Sequence, residues 1–176
     1  KDKMLTLNNL GETSLSLKEV KNAHQYLKEA FEISKKYYVS NSMNYFQQLK
    51  NYADLLMFSE YQIEAENLLK EESELAKELF SKRDFEYYIS QKQLFMFYFL
   101  HERYDICDTR YQELVNQFLF TFFENGKGLN NGQFSQFQIY FLKEFSMIFE
   151  YAIIRKSNHP QFLETALNSY FLMTEL

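Results

Sequence analysis

The sequence predicts an all-α fold, and three observations carry that expectation. The 176 residues include only four Gly and one Pro, too few to supply the turns of a many-stranded sandwich or barrel. Hydrophobic residues make up 46% of the chain, with 19 Phe and 14 Tyr among them, so a sizeable core is within reach. Apolar residues recur at helical spacing in segments joined by short polar links. The length suits one domain or two small ones.

The elements follow in order. Helices are expected at about 3–17, 19–38, 41–58, 61–80, 84–100 and 104–123, with joints such as Lys18-Glu19 and Ser59-Glu60 short enough for helical hairpins. Three of the four Gly lie in Glu124-Asn125-Gly126-Lys127-Gly128-Leu129-Asn130-Asn131-Gly132, so a loop is expected at 124–132. A long Phe-rich helix is expected at 133–156, with Phe134, Phe137, Phe141, Phe145 and Phe149 on one stripe. That stripe is read as core, and as the first place to seek an aromatic surface awaiting a partner domain. Asn158-His159-Pro160 breaks the chain before a last helix at about 161–175, with Pro160 at its first position.

Composition narrows the function. The net charge of −5 argues against nucleic-acid binding, which needs clustered Lys and Arg. A single Cys excludes a disulfide framework and a Cys-based structural zinc site. The longest apolar runs, Leu94 to Leu100 and Phe118 to Phe123, are far shorter than the roughly 20 residues of a membrane span. The chain is therefore expected to be cytoplasmic, off the membrane and without a cofactor. Its start, Lys1-Asp2-Lys3-Met4, is expected to lie inside a longer protein.

A period runs through the first two thirds. Leu7, Leu10, Gly11, Ala23, Leu27 and Ala30 set a frame that returns 42 residues on as Leu49, Tyr52, Ala53, Ala65 and Leu69. It returns again, more loosely, as Leu94, Tyr98, Tyr104, Cys107, Tyr111 and Leu114. Ala23, Ala65 and Cys107 stand at one interval. Small residues there let the two helices of a hairpin approach closely while larger neighbours fill the gaps. Phe95, where the earlier repeats have Gly11 and Ala53, is expected to hold the third pair further apart. Tyr61, four residues before Ala65, implies a one-residue slip in the second turn.

The spacing of large and small residues resembles the tetratricopeptide repeat. Its 42-residue form, opening on Leu7-Asn8-Asn9-Leu10-Gly11, resembles repeats of kinesin light chains and of many bacterial multidomain proteins. That resemblance implies an α-solenoid of antiparallel helical hairpins, with three repeats at about 3–38, 41–80 and 84–123 within residues 1–123. The C-terminal hairpin at 133–176 resembles the junction where such repeats precede a CHAT (caspase-like) peptidase domain. Asn130-Asn131-Gly132-Gln133-Phe134 through Phe145-Ser146-Met147-Ile148-Phe149, and Leu163 to Leu176, carry this second likeness. No catalytic residue of such a domain falls within the sequence.

In a repeat of this kind the first helices line a concave face. Three columns of side chains are expected there: Asn8, Lys50 and Lys92; Asn9, Asn51 and Gln93; and Glu12, Asp54 and Met96. Carboxamides both donate and accept, so such a ladder suits the backbone of an extended peptide, and the Lys pair suits a carboxylate. The alternative is an ordinary polar face, or one covered by the rest of the protein. Leu10, Gly11, Ala23, Ala30, Ala53, Ala65, Tyr98, Tyr104 and Cys107 are expected to pack the repeats.

Other candidates are weaker. Cys107 with His101 invites a nucleophile–base reading, but Cys107 sits at the packing position and the pair lacks an orienting third group. His24, His101 and His159 stand far apart, without metal-ligand spacing. The GKG at Gly126–Gly128 lacks the phosphate-loop spacing. Residues 60–80 carry seven Glu against two Lys, 2 − 7 = −5; pairs such as Glu66–Lys70 make this a solvated face, the alternative being a dock for a basic partner. The expected function is a non-enzymatic protein- or peptide-binding scaffold. The alternatives are a repeat region that restrains a CHAT peptidase, or a peptide-pheromone-sensing regulator. The ends of the stack lack a polar capping helix, so the chain is expected to self-associate or to fold its last helices over the core.

Overall fold

A computed structural model describes residues 2–57, 59–82 and 84–174. The expected helix ends at 58 and 175, and the outermost residues 1 and 176, lie outside the described residues. Every regular element among the described residues is an α-helix: α1 (Asp2–Ser16), α2 (Val20–Tyr37), α3 (Met43–Leu56), α4 (Gln62–Leu79), α5 (Phe85–Leu100), α6 (Tyr104–Gly126), α7 (Asn131–Arg155) and α8 (Pro160–Thr174). The chain divides into two compact units, Lys1–Ser81 and Lys82–Leu176. In the first, α1 packs on α2, α2 on α3 and α3 on α4; in the second, α5 packs on α6, while α6, α7 and α8 pack on one another.

The 42-residue register is written in the backbone. The second helices of the three hairpins start at Val20, Gln62 and Tyr104, and 62 − 20 = 104 − 62 = 42. The residues before them adopt one conformation: Glu19 (φ −89°, ψ 64°), Tyr61 (φ −88°, ψ 46°) and Arg103 (φ −83°, ψ 61°). None caps its helix through a side chain. Their carbonyls instead accept the first helical hydrogen bond from Ala23, Ala65 and Cys107 at 3.0, 2.9 and 3.2 Å. The expected slip at Tyr61 is therefore corrected: Tyr61 is the capping residue, in register with Glu19 and Arg103.

The turns inside the first and third hairpins also match. Glu19 N–H donates to the Ser14 carbonyl and Lys18 N–H to Leu15; Arg103 and Glu102 do the same to Tyr98 and Phe99. This double bond pattern closes a helix through a left-handed residue. Lys18 (φ 62°) and Glu102 (φ 56°) occupy that place, where a side chain crowds its own carbonyl. Lys18→Gly is expected to raise stability by about 0.5–1 kcal/mol in urea denaturation, since the relieved crowding exceeds the entropy Gly loses on folding.

Packing explains the small residues. Ala23, Ala53, Ala65 and Cys107 are completely buried, and Ala30, Tyr98 and Phe95 nearly so. A Cβ placed on Gly11 would lie 2.5 Å from Leu27 Cγ, so α1 approaches α2 as only Gly allows. At the corresponding place Phe95 is accommodated, its carbonyl receiving the Cys107 thiol at 3.8 Å, and α5 packs less extensively on α6 than α1 does on α2. Met4, Leu7 and Ala30, flanked by Tyr26, Ile33 and Tyr38, form a separate cluster of buried residues. Tyr104 is half-buried between the rings of Phe99 and Tyr151. Leu10 departs from expectation. It is 42% exposed, although Tyr52, its counterpart one repeat on, is buried against α2. A residue there packs on the second helix of a preceding hairpin, and none precedes α1 among the described residues.

The loop is shorter than expected, and its cause is aromatic. The second helices of hairpins one and two end on extended residues, Tyr38 and Phe80, again 80 − 38 = 42 apart. The next residue in that series, Phe122, is fully buried, with its ring 5.4 Å from those of Phe137 and Phe141. Ending the helix there would leave Phe134 and Phe137 unsupported. Instead α6 runs to Gly126, where a Cβ would meet Phe134 at 3.0 Å. Only 127–130 remain outside helices, and α7 starts at Asn131 behind a reciprocal cap between Asn130 and Gln133. The middle of the Phe stripe of α7 is core: Phe141 and Phe145 are buried, and both rings reach Phe118, while Phe134, Phe137 and Phe149 are half-buried. The exposed apolar residues of the hairpin lie elsewhere, at Ile139, Ile153, Leu167 and Phe171 among others.

Candidate functional site

Three residues from the expected concave face meet at one groove in the first unit. Glu12 of α1 and Asn51 and Asp54 of α3 line an open cleft of about 410 Å³ with Leu15, Val20, Leu27, Leu55 and Ser59. Leu27 and Leu55 are buried and form its apolar floor; Leu15 and Val20 are exposed at its edge. The Asn51 side-chain oxygen accepts from Gln47 at 2.7 Å, which leaves its NH₂ group directed by the same amide plane. The cleft carries two carboxylates, Glu12 and Asp54, and Lys50 pairs with Asp54 at 3.3 Å from outside the lining. Asn9 is exposed on α1.

The remaining expected residues are spent elsewhere. Asn8 is buried, and its Nδ2 donates to Gln48 Oε1 of α3 at 2.7 Å. Lys92, its counterpart 84 residues on, forms an ion pair with Glu144 of α7. Asn8 and Lys92 thus each join their helix to the next first helix and are corrected from ligand contacts to structural links, whereas Lys50, between them in the column, pairs within α3. Lys92 does hold a carboxylate, one from its own chain. Gln93 is half-buried on α5 in the second unit.

Each unit also holds a polar cluster that sequence spacing did not reveal. In the first, Tyr52 Oη donates to Glu64 Oε1 at 2.8 Å and lies 2.9 Å from His24 Nε2. The hydroxyl has a single proton, so it accepts from His24, and Nε2 carries the hydrogen. Glu64 also takes Lys28 at 3.0 Å and His24 at 3.3 Å, while Tyr61 stacks on the imidazole at 3.9 Å. Burial works to raise the Glu64 pKa, yet the hydrogen bonds from Tyr52, Lys28 and His24 hold it below the usual range. Burial first, then the bond to Glu64, pushes the Tyr52 phenol well above its ordinary value.

In the second unit, Asp108 of α6 takes Tyr151 Oη at 2.5 Å, Arg155 Nε and Nη2 at 3.0 and 2.5 Å, and His159 Nε2 at 2.9 Å. Burial opposes its ionisation, but the Arg155 and Tyr151 bonds win and lower its pKa. His159 stacks on Phe162, whose ring lies 4.4 Å from Tyr111. The two clusters have one plan: a tyrosine from a first helix, a residue of the preceding second helix, and a histidine–carboxylate pair. They pin α3 to α2 and α7 to α6, so α7 and α8 continue the hairpin packing outside the 42-residue frame. A polar residue at a fixed place in α2 and α6 was the only signal, and long-range pairing across 28 and 43 residues hid the rest.

The weaker candidates resolve into packing. His101 pairs with the Phe97 carbonyl at 2.8 Å, and Cys107 faces Phe95, so thiol and imidazole have different partners. Burial, then Asp108 and Asp105, pushes the Cys107 thiol up to about 12, which leaves it protonated. The acidic helix is largely paired: Glu66 with Lys70, Glu74 with Lys77, Glu71 with the Tyr45 hydroxyl, and Glu64 as above. Among the described residues no group of three His, Cys, Asp or Glu is placed to hold a metal ion. None of the described helices is long and apolar enough to cross a membrane. No family model and no curated protein matches the chain.

Proposed function

We propose that the chain is a tetratricopeptide-like scaffold of the cytoplasm that binds proteins or peptides through the α1–α2–α3 groove, without catalysis of its own. The groove carries this reading: Glu12, Asn51 and Asp54, chosen by repeat position alone, line one cleft over a leucine floor. In it the Asn51 amide hydrogen-bonds the backbone of an extended peptide, Leu27 and Leu55 take an apolar side chain, and Glu12 attracts a basic one. The likeness of the 42-residue register to that repeat family supports the assignment, as does the shared cap geometry of the three hairpins.

Peptides selected from a random display library on the intact chain test it. Selected sequences are expected to combine Lys or Arg with an apolar residue. Glu12→Lys and Asn51→Ala should each weaken them about tenfold, or about 1.4 kcal/mol, with helicity unchanged and with weaker binding at high salt. Affinity indifferent to both substitutions would remove the groove as the site.

A further inference from the structure

Two Asn-Gly steps lie at the joint between α6 and α7, Asn125-Gly126 and Asn131-Gly132. In such a step the glycine nitrogen can attack the asparagine side chain, because no Cβ stands beside it. The two steps differ in what holds the reacting groups. Asn125 Nδ2 donates to the Thr121 carbonyl at 2.8 Å, and Gly126 is the last residue of α6, its N–H within the helical ladder. A Cβ on Gly126 would lie 3.0 Å from the Phe134 ring, so the backbone there is crowded as well. Asn131 and Gly132 are exposed. Gly132 is the second residue of α7, a place whose N–H has no acceptor within the helix. Among the described residues no hydrogen bond reaches that N–H or the Asn131 carboxamide. The Asn130 side chain caps Gln133 instead, at 3.0 Å.

We propose that Asn131 is a site of spontaneous covalent modification, converting to aspartate and isoaspartate, whereas Asn125 is not. The Gly132 nitrogen bonds to the Asn131 side-chain carbonyl carbon, and the bond from that carbon to the amide nitrogen breaks. The Gly132 proton leaves with that nitrogen as ammonia. Water then opens the cyclic imide at either carbonyl. Closure of the ring requires the first turn of α7 to fray, as helix ends do. Fraying undoes the Asn130–Gln133 cap, the Phe134 N–H bond to Asn130 and the Ser135 hydroxyl bond to Asn131. The products act differently on α7. Aspartate places a negative charge at the helix start, where it is favoured. Isoaspartate routes the backbone through the former side chain, displacing the cap and loosening Phe134, whose ring packs on Phe122 and Phe137.

The intact chain, aged in warm neutral buffer, is digested and mapped by mass spectrometry, with isoaspartate labelled by an isoaspartyl methyltransferase. Aspartyl and isoaspartyl products are expected at 131, accumulating about tenfold faster than at 125, or more. Gly132→Ala should slow the reaction without unfolding the chain. Its Cβ would meet Asn130 Oδ1 at an ordinary 3.6 Å, and alanine favours a helix. Hydrogen exchange at the start of α7 should match the fresh chain in Asn131→Asp and accelerate in the isoaspartyl fraction. No product at 131, a rate indifferent to Gly132→Ala, or equal rates at 125 and 131, as an unfolded chain would give, overturns the proposal.

Discussion

Asp108→Ala is expected to destabilise the second unit by about 3 kcal/mol, because removing one partner of a largely buried ion pair strands the other. The carboxylate is 15% exposed and the Arg155 side chain 17%, so water screens the pair little. Alanine would leave Arg155, His159 and the Tyr151 hydroxyl without their shared acceptor. All three belong to α7 or to its junction with α8, so hydrogen exchange should accelerate there first and spare α1–α4. Urea denaturation followed by circular dichroism measures the loss; an unchanged midpoint would show that aromatic packing alone holds α7. The same carboxylate sets a pH dependence. The folded pKa values of Asp108 and Glu64 are lowered, so both contribute stability in full above their unfolded values near 4. That contribution is lost as pH falls through the folded values. Acid unfolding should therefore begin below about pH 4, and Asp108→Asn should flatten its onset in the second unit.

Phe118→Ala should cost about 3–5 kcal/mol, the range for emptying a large buried aromatic site. Phe118 is fully buried, and its ring lies 5.3, 5.4 and 5.2 Å from those of Tyr88, Phe141 and Phe145. It thereby joins α5, α6 and α7 at one point. Those neighbours are held by helices on three sides, which limits collapse into the cavity. Near-ultraviolet circular dichroism should lose its aromatic signal along with stability. By contrast Phe120, two residues on and 40% exposed, should tolerate alanine within about 0.5 kcal/mol, as exposed positions do. Equal effects at the two positions would contradict the packing described.

Much of this architecture was legible because it is local and periodic. Helix periodicity and scarce Gly and Pro led to the all-α fold, and Ala23, Ala65 and Cys107 at one interval located the second helices. What the residues hid was long-range. Asn8 and Lys92 look like free polar groups in the sequence, since Gln48 and Glu144 are 40 and 52 residues away. Leu10 satisfies the packing pattern but lies where no preceding helix is described. The length of α6 depended on Phe134 and Phe137, residues of another helix, and so the glycines of 124–132 overstated the loop. At the groove, the repeat register brought Glu12, Asn51 and Asp54 together, yet of the leucine floor it held Leu27 and missed Leu55.

Nuclear magnetic resonance mapping of a library-selected peptide on the isotopically labelled chain tests the binding reading most directly. Amide shifts confined to Glu12, Leu15, Asn51, Asp54 and Leu55, together with intermolecular contacts to the Leu27 methyls, are the predicted result. Shifts that avoid those residues and gather on α4 or on the Phe-rich helix α7 would contradict it.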